Sequence, residues 1–303
     1  MINKKKKFLN IFFQISIIFL IISLFYSNDL EMSKILIIFT KNFISIFFLL
    51  IFLKFFISIL FACITMIITK NNSFLFEITN NFLLGGLVSA SIPVLGLIYK
   101  YQKFNNDFGI TLAEYTSSQI LGTFFNIFSY LTLAFIFGFL KVNSLFSFNL
   151  YIFLFFLLIL FIYKMRKKFF YLTKSKKIYH ELRTIKKILL QNYSKFLIIF
   201  FCYIILSFLQ CYAFYKTISF FEYDLNFIST SYLYISSTIL SLITLINFIG
   251  FFELILAYSA SIVTDNYIEI IVVGFSFRIL NLGALSTSAL IMYLLGFLKR
   301  NEN

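Results

Sequence analysis

Asn247-Phe248-Ile249-Gly250-Phe251-Phe252-Glu253, a polar break at Thr264-Asp265-Asn266, and then an apolar stretch carrying Arg278 well inside it: this part of the chain decides the fold, because it puts charges where a greasy sequence tolerates them least. An ionisable group at membrane depth costs roughly 2.5–3.5 kcal/mol on insertion scales. Glu253 and Arg278 must therefore be paired, used or both, and they are the first candidates for a binding site.

The rest of the composition agrees with a membrane setting. Hydrophobic residues fill 61% of 303 positions and charged ones only 13%, against about 25% charged in soluble domains. At about 20 apolar residues per span, the length holds about six to eight spanning elements and no sizeable water-soluble part. A single membrane domain over 1–303 is expected. The formal charge of +14 does not point to nucleic acid, because the Lys and Arg residues sit in short stretches between apolar runs, as cytoplasmic loops require. Cys63, Cys202 and Cys211 fall in apolar runs without CxxC spacing, so no disulfide framework or zinc site is indicated.

Charge placement then sets the topology. Lys4 to Lys7 precede an apolar run over 8–26 that is long for a secretory signal and ends in Ser27-Asn28-Asp29 without a small-x-small cleavage site, which predicts a retained first helix starting in the cytoplasm. Asp29 and Glu31 mark the outer side, and a second span over 42–69 returns to Lys70 with Lys54 near its middle. Residues 74–97 hold Glu77, Asn80, Asn81, Gly85, Gly86 and Pro93 between basic flanks, too polar for a plain span. A segment that starts and ends on one side must dip and return, so it reads as a re-entrant hairpin lining a cavity; an amphipathic surface helix is the alternative. Thr111, with Glu114 three residues on, caps a helix that exits by 140.

A span over 148–163 comes back to the densest basic segment, from Lys164 to Lys187, which is cytoplasmic and contains the only histidine, His180, as a solvated loop residue. Contact with anionic headgroups is one reading of that segment, and topology alone is the other. A span over 194–215 leads out to Glu222 and Asp224. The last helix, 267–298, ends at Lys299-Arg300, so the interrupted segment 227–263 must begin and end outside as a second re-entrant hairpin. The expected fold is an all-α polytopic bundle whose halves, 8–140 and 148–298, form an inverted-topology repeat, a transporter plan with its site at the repeat interface.

No Walker A loop, GxGxxG, GxSxG or His-carboxylate metal pattern occurs, and the twelve acidic residues lie mostly in loops, so neither an enzyme nor a cofactor or metal is expected. What remains is moving or holding an amphipathic molecule, with hairpin tips offering helix ends and Arg278 or Lys54 offering charge to a phosphate. Arg278 lies ~18 Å into its helix, near the midplane of a ~30 Å core. A purely structural pair with Glu253 is the competing reading of the same two residues.

Asn247 and Gly250-Phe-Phe-Glu253, then Val272-Val-Gly-Phe-Ser-Phe-Arg278-Ile-Leu with Gly283 and Gly296 beyond, resemble the lysylphosphatidylglycerol synthase transmembrane, or flippase-like, family. Pro93, Gly96, Tyr99-Lys100 and Phe108-Gly-Ile-Thr-Leu-Ala-Glu114 resemble its N-terminal half, and the likeness runs from about 8 to 298. The chain lacks the family's Pro and double Gly before Gly250, and Lys100 stands where an Arg is common. The resemblance implies translocation of a lipid, and because the chain stops after the last helix no synthase domain is expected.

The expectation is thus an inner-membrane, multi-pass protein with both termini cytoplasmic, binding or translocating an anionic phospholipid or a polyprenyl-linked saccharide. A separate glycosyltransferase or synthase is the expected protein partner. The substrate-binding candidates are Glu253, Arg278, Asn247, Gly250, Lys54, Glu77, Asn80, Asn81, Pro93 and Lys100. A non-transporting scaffold of envelope glycan or lipid biosynthesis, and a membrane-embedded transferase, are the alternatives.

Overall fold

The structure, a computed structural model, describes residues 43–70, 75–91, 93–140, 188, 190–221, 223, 225–243, 251–261 and 267–301. The expected spans at 8–26 and 148–163, the basic segment from Lys164 to Lys187, and Asn247 and Gly250 lie outside these residues. All regular structure among the described residues is α-helical: α1 (Phe43–Thr69), α2 (Leu75–Ser91), α3 (Pro93–Phe108), α4 (Leu112–Leu140), α5 (Tyr193–Phe220), α6 (Phe227–Ile243), α7 (Phe251–Ala260) and α8 (Tyr267–Asn301). Four stretches, Phe43–Thr69, Leu112–Phe137, Tyr193–Phe220 and Ile270–Gly296, are long and apolar enough to cross a membrane. Among its described residues this is an all-helical membrane protein.

Phe and Ile are only middling helix formers in water. In hydrocarbon, however, every backbone N–H and C=O needs a partner within the chain, and the helix supplies it segment by segment. The side chains reflect that solvent. On α5, Tyr193, Leu197, Phe201, Ile205 and Phe208 recur every three or four residues on the exposed side, while Phe196, Ile199, Tyr203 and Leu206 are buried. Both faces are greasy, and an exposed apolar stripe of this kind is solvated by lipid rather than by water.

The order long, short, short, long occurs twice, as α1 to α4 and as α5 to α8. Pro93 occupies the first position of α3, where its missing N–H costs nothing. The second arm of this pair differs from expectation: the helix continues to Phe108, past the expected end of the hairpin at 97 and the basic flank after it. Its amphipathic spacing explains the difference, since Phe104 is fully buried with Ile78, Phe82 and Tyr115, and Tyr101 and Phe108 pack against them. Gly109 ends α3 in the left-handed region (φ 64°), which only glycine enters at no steric cost, and its N–H returns to the Asn105 carbonyl at 2.9 Å. The cap of α4 is present: Thr111 N and Oγ1 both donate to Glu114 Oε2 at 2.9 Å, and Glu114 N donates to Thr111 Oγ1 at 3.3 Å.

The described residues divide into two compact units. One comprises those within Met1–Leu50 and Cys211–Gly283. Here α6 is enclosed on all sides from residue 231 to 237 although it is rich in hydroxyls. Ser236 and Ser237 donate to the Tyr232 and Leu233 carbonyls at 2.9 and 2.7 Å, which satisfies them within their own helix. Ser236 also reaches Ser259 of α7 at 3.3 Å.

The other unit comprises the described residues within Ile51–Gln210 and Ala284–Asn303. In it Phe61 of α1 lies against Gly122 of α4 and meets Tyr203 of α5 edge-on at 6.1 Å. Ser129 and Ser207 join α4 to α5 at 2.6 Å, and Tyr130 donates to Gln210 alongside. The tightest approach is in the α2–α3 hairpin, where a Cβ on Gly96 would stand 2.5 Å from Ser89 N and Cα. Neither backbone atom can turn aside as a side chain would. Gly96→Val should accordingly lower stability by about 1–3 kcal/mol, the usual cost of overpacking. Thermal unfolding in detergent checks this, and an unchanged midpoint would contradict the close contact.

Candidate functional site

Glu253 belongs to the first turn of α7, where the exposed N–H groups of a helix favour a negative charge. Its carboxylate is entirely buried, 0% exposed, and meets Arg278 of α8: Nη1 stands 3.3 Å from Oε1 and 3.1 Å from Oε2. The guanidinium side chain keeps 21% of its surface open. The two helices come this close because Gly274 lies one turn before Arg278 on the same face. A Cβ there would stand 2.6 Å from Leu256 Cδ2 and 3.6 Å from Glu253 Cγ, so α7 lies directly over a helix surface without a side chain.

Aromatic rings from four helices surround the residues next to the pair. Phe277, the neighbour of Arg278, meets Phe214 of α5 at 5.1 Å and Tyr234 of α6 at 5.7 Å, both edge-on. Tyr234 in turn meets Phe214 at 5.1 Å and Phe252, the neighbour of Glu253, at 6.1 Å. Edge-to-face contacts of this kind fix ring orientation as well as burying area. Thr230 and Thr238 on α6 and Ser276 on α8 carry buried hydroxyls with no hydrogen-bond partner among the described residues.

The remaining candidates fall in the other unit. The stem of Lys100 lies across Gly85 of α2, where a Cβ would be 2.6 Å from Lys100 Cε, and its ammonium stands 5.9 Å from the Phe82 ring centroid. Asn81 is buried and Asn80 carries a buried Oδ1 with no hydrogen-bond partner, whereas Glu77 is exposed and makes no ion pair with Lys100. Lys54 is half-buried on α1, with no hydrogen bond or ion pair among the described residues. Pro93 opens α3. Among the described residues no cluster of His, Cys, Asp or Glu could hold a metal ion.

Sequence reasoning thus singled out both members of the ion pair and missed the groups that shape their surroundings. Phe214, Tyr234, Phe252 and Phe277 carry no signal in a chain with 46 phenylalanines. Gly274 and Gly85 did carry one, since each lies four residues along its helix from a polar candidate, Arg278 and Asn81. No family model, no curated protein and no solved structure matches the chain.

Because the Glu253 carboxylate is sealed from solvent, removing its cation should cost far more than removing both charges. Arg278→Gln is expected to destabilise the protein by about 3–5 kcal/mol, as breaking a buried pair does, and Glu253→Gln together with Arg278→Gln to recover much of that loss. A double-mutant cycle on thermal unfolding in detergent measures the coupling. Additive effects would show that the two side chains do not act as a pair.

Proposed function

We propose that this chain binds and translocates a lipid with an anionic headgroup, a phospholipid or a polyprenyl-linked saccharide, without hydrolysing nucleotide itself, as a flippase-like protein of the cell inner membrane. The observation that carries this reading is the buried pair itself: the Glu253 carboxylate is fully enclosed, whereas the Arg278 side chain keeps 21% of its surface exposed. In a low-dielectric site a guanidinium binds phosphate strongly and with directional hydrogen bonds, and Arg278 is the partly exposed member of the pair.

The plan we propose has two re-entrant hairpins in an inverted repeat, one in each unit, and contacts within each unit favour it. Phe76 of α2 lies beside Gly296 and Gly86 beside Leu285, so α2 runs against the direction of α8, and α3 returns along α2 through the contacts of Gly85 with Lys100 and Ser89 with Gly96. With Lys299 and Arg300 cytoplasmic, this hairpin enters and leaves on the inside. In the other unit Glu253 meets Arg278 and Leu256 meets Gly274, so α7 also runs against its stretch of α8, as required of a hairpin entering from outside. Single cysteines at Glu77 and Asn106 should react with an impermeant reagent only from the cytoplasmic side, and those at Asn226 and Ser261 only from outside, with Cys63, Cys202 and Cys211 replaced by Ser. Labelling of the two ends of either hairpin from opposite sides would refute the re-entrant plan.

A second reading, a non-transporting scaffold for envelope glycan or lipid assembly, is favoured by the way Leu256, Gly274 and the ion pair fasten α7 to α8. Transport separates the two. In reconstituted vesicles the wild-type chain should speed movement of fluorescent phosphatidylglycerol or a polyprenyl-linked saccharide between leaflets, and Arg278→Lys, which keeps the charge and loses the planar fork, should slow it by about tenfold or more. Movement no faster than in protein-free vesicles for every lipid tested would leave the scaffold reading.

A further inference from the structure

We infer that Asn81 and Lys100 form an anion subsite within the α2–α3 hairpin, taking a phosphate, the group common to a lipid headgroup and to free inorganic phosphate. The inference deepens the lipid-binding reading and rests on it for the headgroup as the preferred source.

Lys100 is held rather than loose. Its methylene stem fills the groove that Gly85 leaves on α2, and the ammonium is carried back along that helix to the face of Phe82. The turn it reaches is the turn of Asn81, which precedes Phe82 and lies four residues before Gly85, on the same side of the helix. Asn81 is only 7% exposed, and its amide makes no hydrogen bond among the described residues. Lys100 has neither a hydrogen bond nor an ion pair there, and the two side chains do not bond to one another. The amide of a largely buried asparagine and a half-buried ammonium that rests over an aromatic face, without a hydrogen bond to any described residue, together offer several N–H donors.

The neighbouring charges do not supply an acceptor for these donors. Glu77, one turn further along α2, is exposed and outside ion-pair distance of Lys100. Asp107 is taken by Lys103 on its own helix at 3.8 Å. Among the described residues no carboxylate meets these donors, an anion with several acceptor oxygens suits them, and lysine binds phosphate well as a point charge. Depth favours a headgroup: Asn81 is six residues past Leu75, ~9 Å up the hairpin, and Lys100 is eight residues before Phe108, ~12 Å. That height suits a lipid phosphate drawn a short way into the hairpin. Gly85 acts as a positioning residue, since any Cβ there displaces the lysine stem.

The test reads the amine itself. The full chain in maltoside micelles is treated with an amine-directed reagent, and modification at Lys100 and Lys103 is followed by peptide mass spectrometry, without addition, with inorganic phosphate, with phosphatidylglycerol, and with diacylglycerol as the uncharged lipid. Occupancy should slow modification of Lys100 by about tenfold, as a charge-assisted hydrogen bond of ordinary strength does, and leave Lys103 unchanged. Protection by phosphatidylglycerol alone identifies a lipid headgroup, and protection by inorganic phosphate identifies the free anion. Asn81→Leu and Gly85→Ala should each abolish protection; should either fail to fold, the wild-type comparison stands as the test. Equal modification of Lys100 in all four conditions overturns the subsite even if lipid moves across vesicles. Protection in a chain that moves no lipid keeps the subsite and removes the transport reading.

Discussion

A carboxylate with no exposed surface inside a membrane-spanning unit has to be accompanied, and the 3.1 Å contact between Glu253 and Arg278 is what makes the rest of that unit possible. The cost of stripping a carboxylate of water is several kcal/mol even after relaxation, and it is offset only by a well-placed cation and further polar contacts. Much of the local architecture follows from meeting that demand. Arg278 needs α7 close to α8, closeness needs a helix face without side chains, and Gly274 provides it one turn away. The first turn of α7 adds the favourable end of a helix dipole. Phe214, Tyr234, Phe252 and Phe277 then pack against one another around the residues next to the pair.

The second unit answers the same solvent differently. The α2–α3 hairpin holds too many polar groups to be a comfortable span, and it is stabilised by backbone approach rather than by charge. Ser89 against Gly96 and Lys100 across Gly85 bring two helices together where ordinary side chains would hold them apart. Packing of this kind does not rely on the hydrophobic effect, which offers little between helices already in lipid. It also carries the half-buried Lys100 side chain to the face of the Phe82 ring.

How much of this was legible in the sequence can be traced residue by residue. Helix α1 was readable because its apolar run is uninterrupted by Gly or Pro, and its observed bounds, Phe43–Thr69, lie within one residue of the expectation. The cap of Thr111 and Glu114 was readable because it depends only on local spacing. Glu253 and Arg278 could be marked as costly, and therefore engaged, from their apolar surroundings alone. The extension of α3 to Phe108 was not readable: Asn105, Asn106 and Asp107 look like a loop until Phe104 is seen to be buried against Phe82 and Tyr115. The aromatic cluster was hidden for the opposite reason, since phenylalanine is so common here that position, not type, carries the information.

A charge reversal tests the central claim most directly, because it separates the pair as a fastener from the pair as a charge presented to a ligand. In a chain carrying Glu253→Arg and Arg278→Glu together, attraction between the positions is restored while the partly exposed member of the pair becomes negative. The account predicts that this variant inserts, unfolds within a few degrees of wild type and fails to move anionic lipid in vesicles. Wild-type lipid movement by the reversed chain would contradict it.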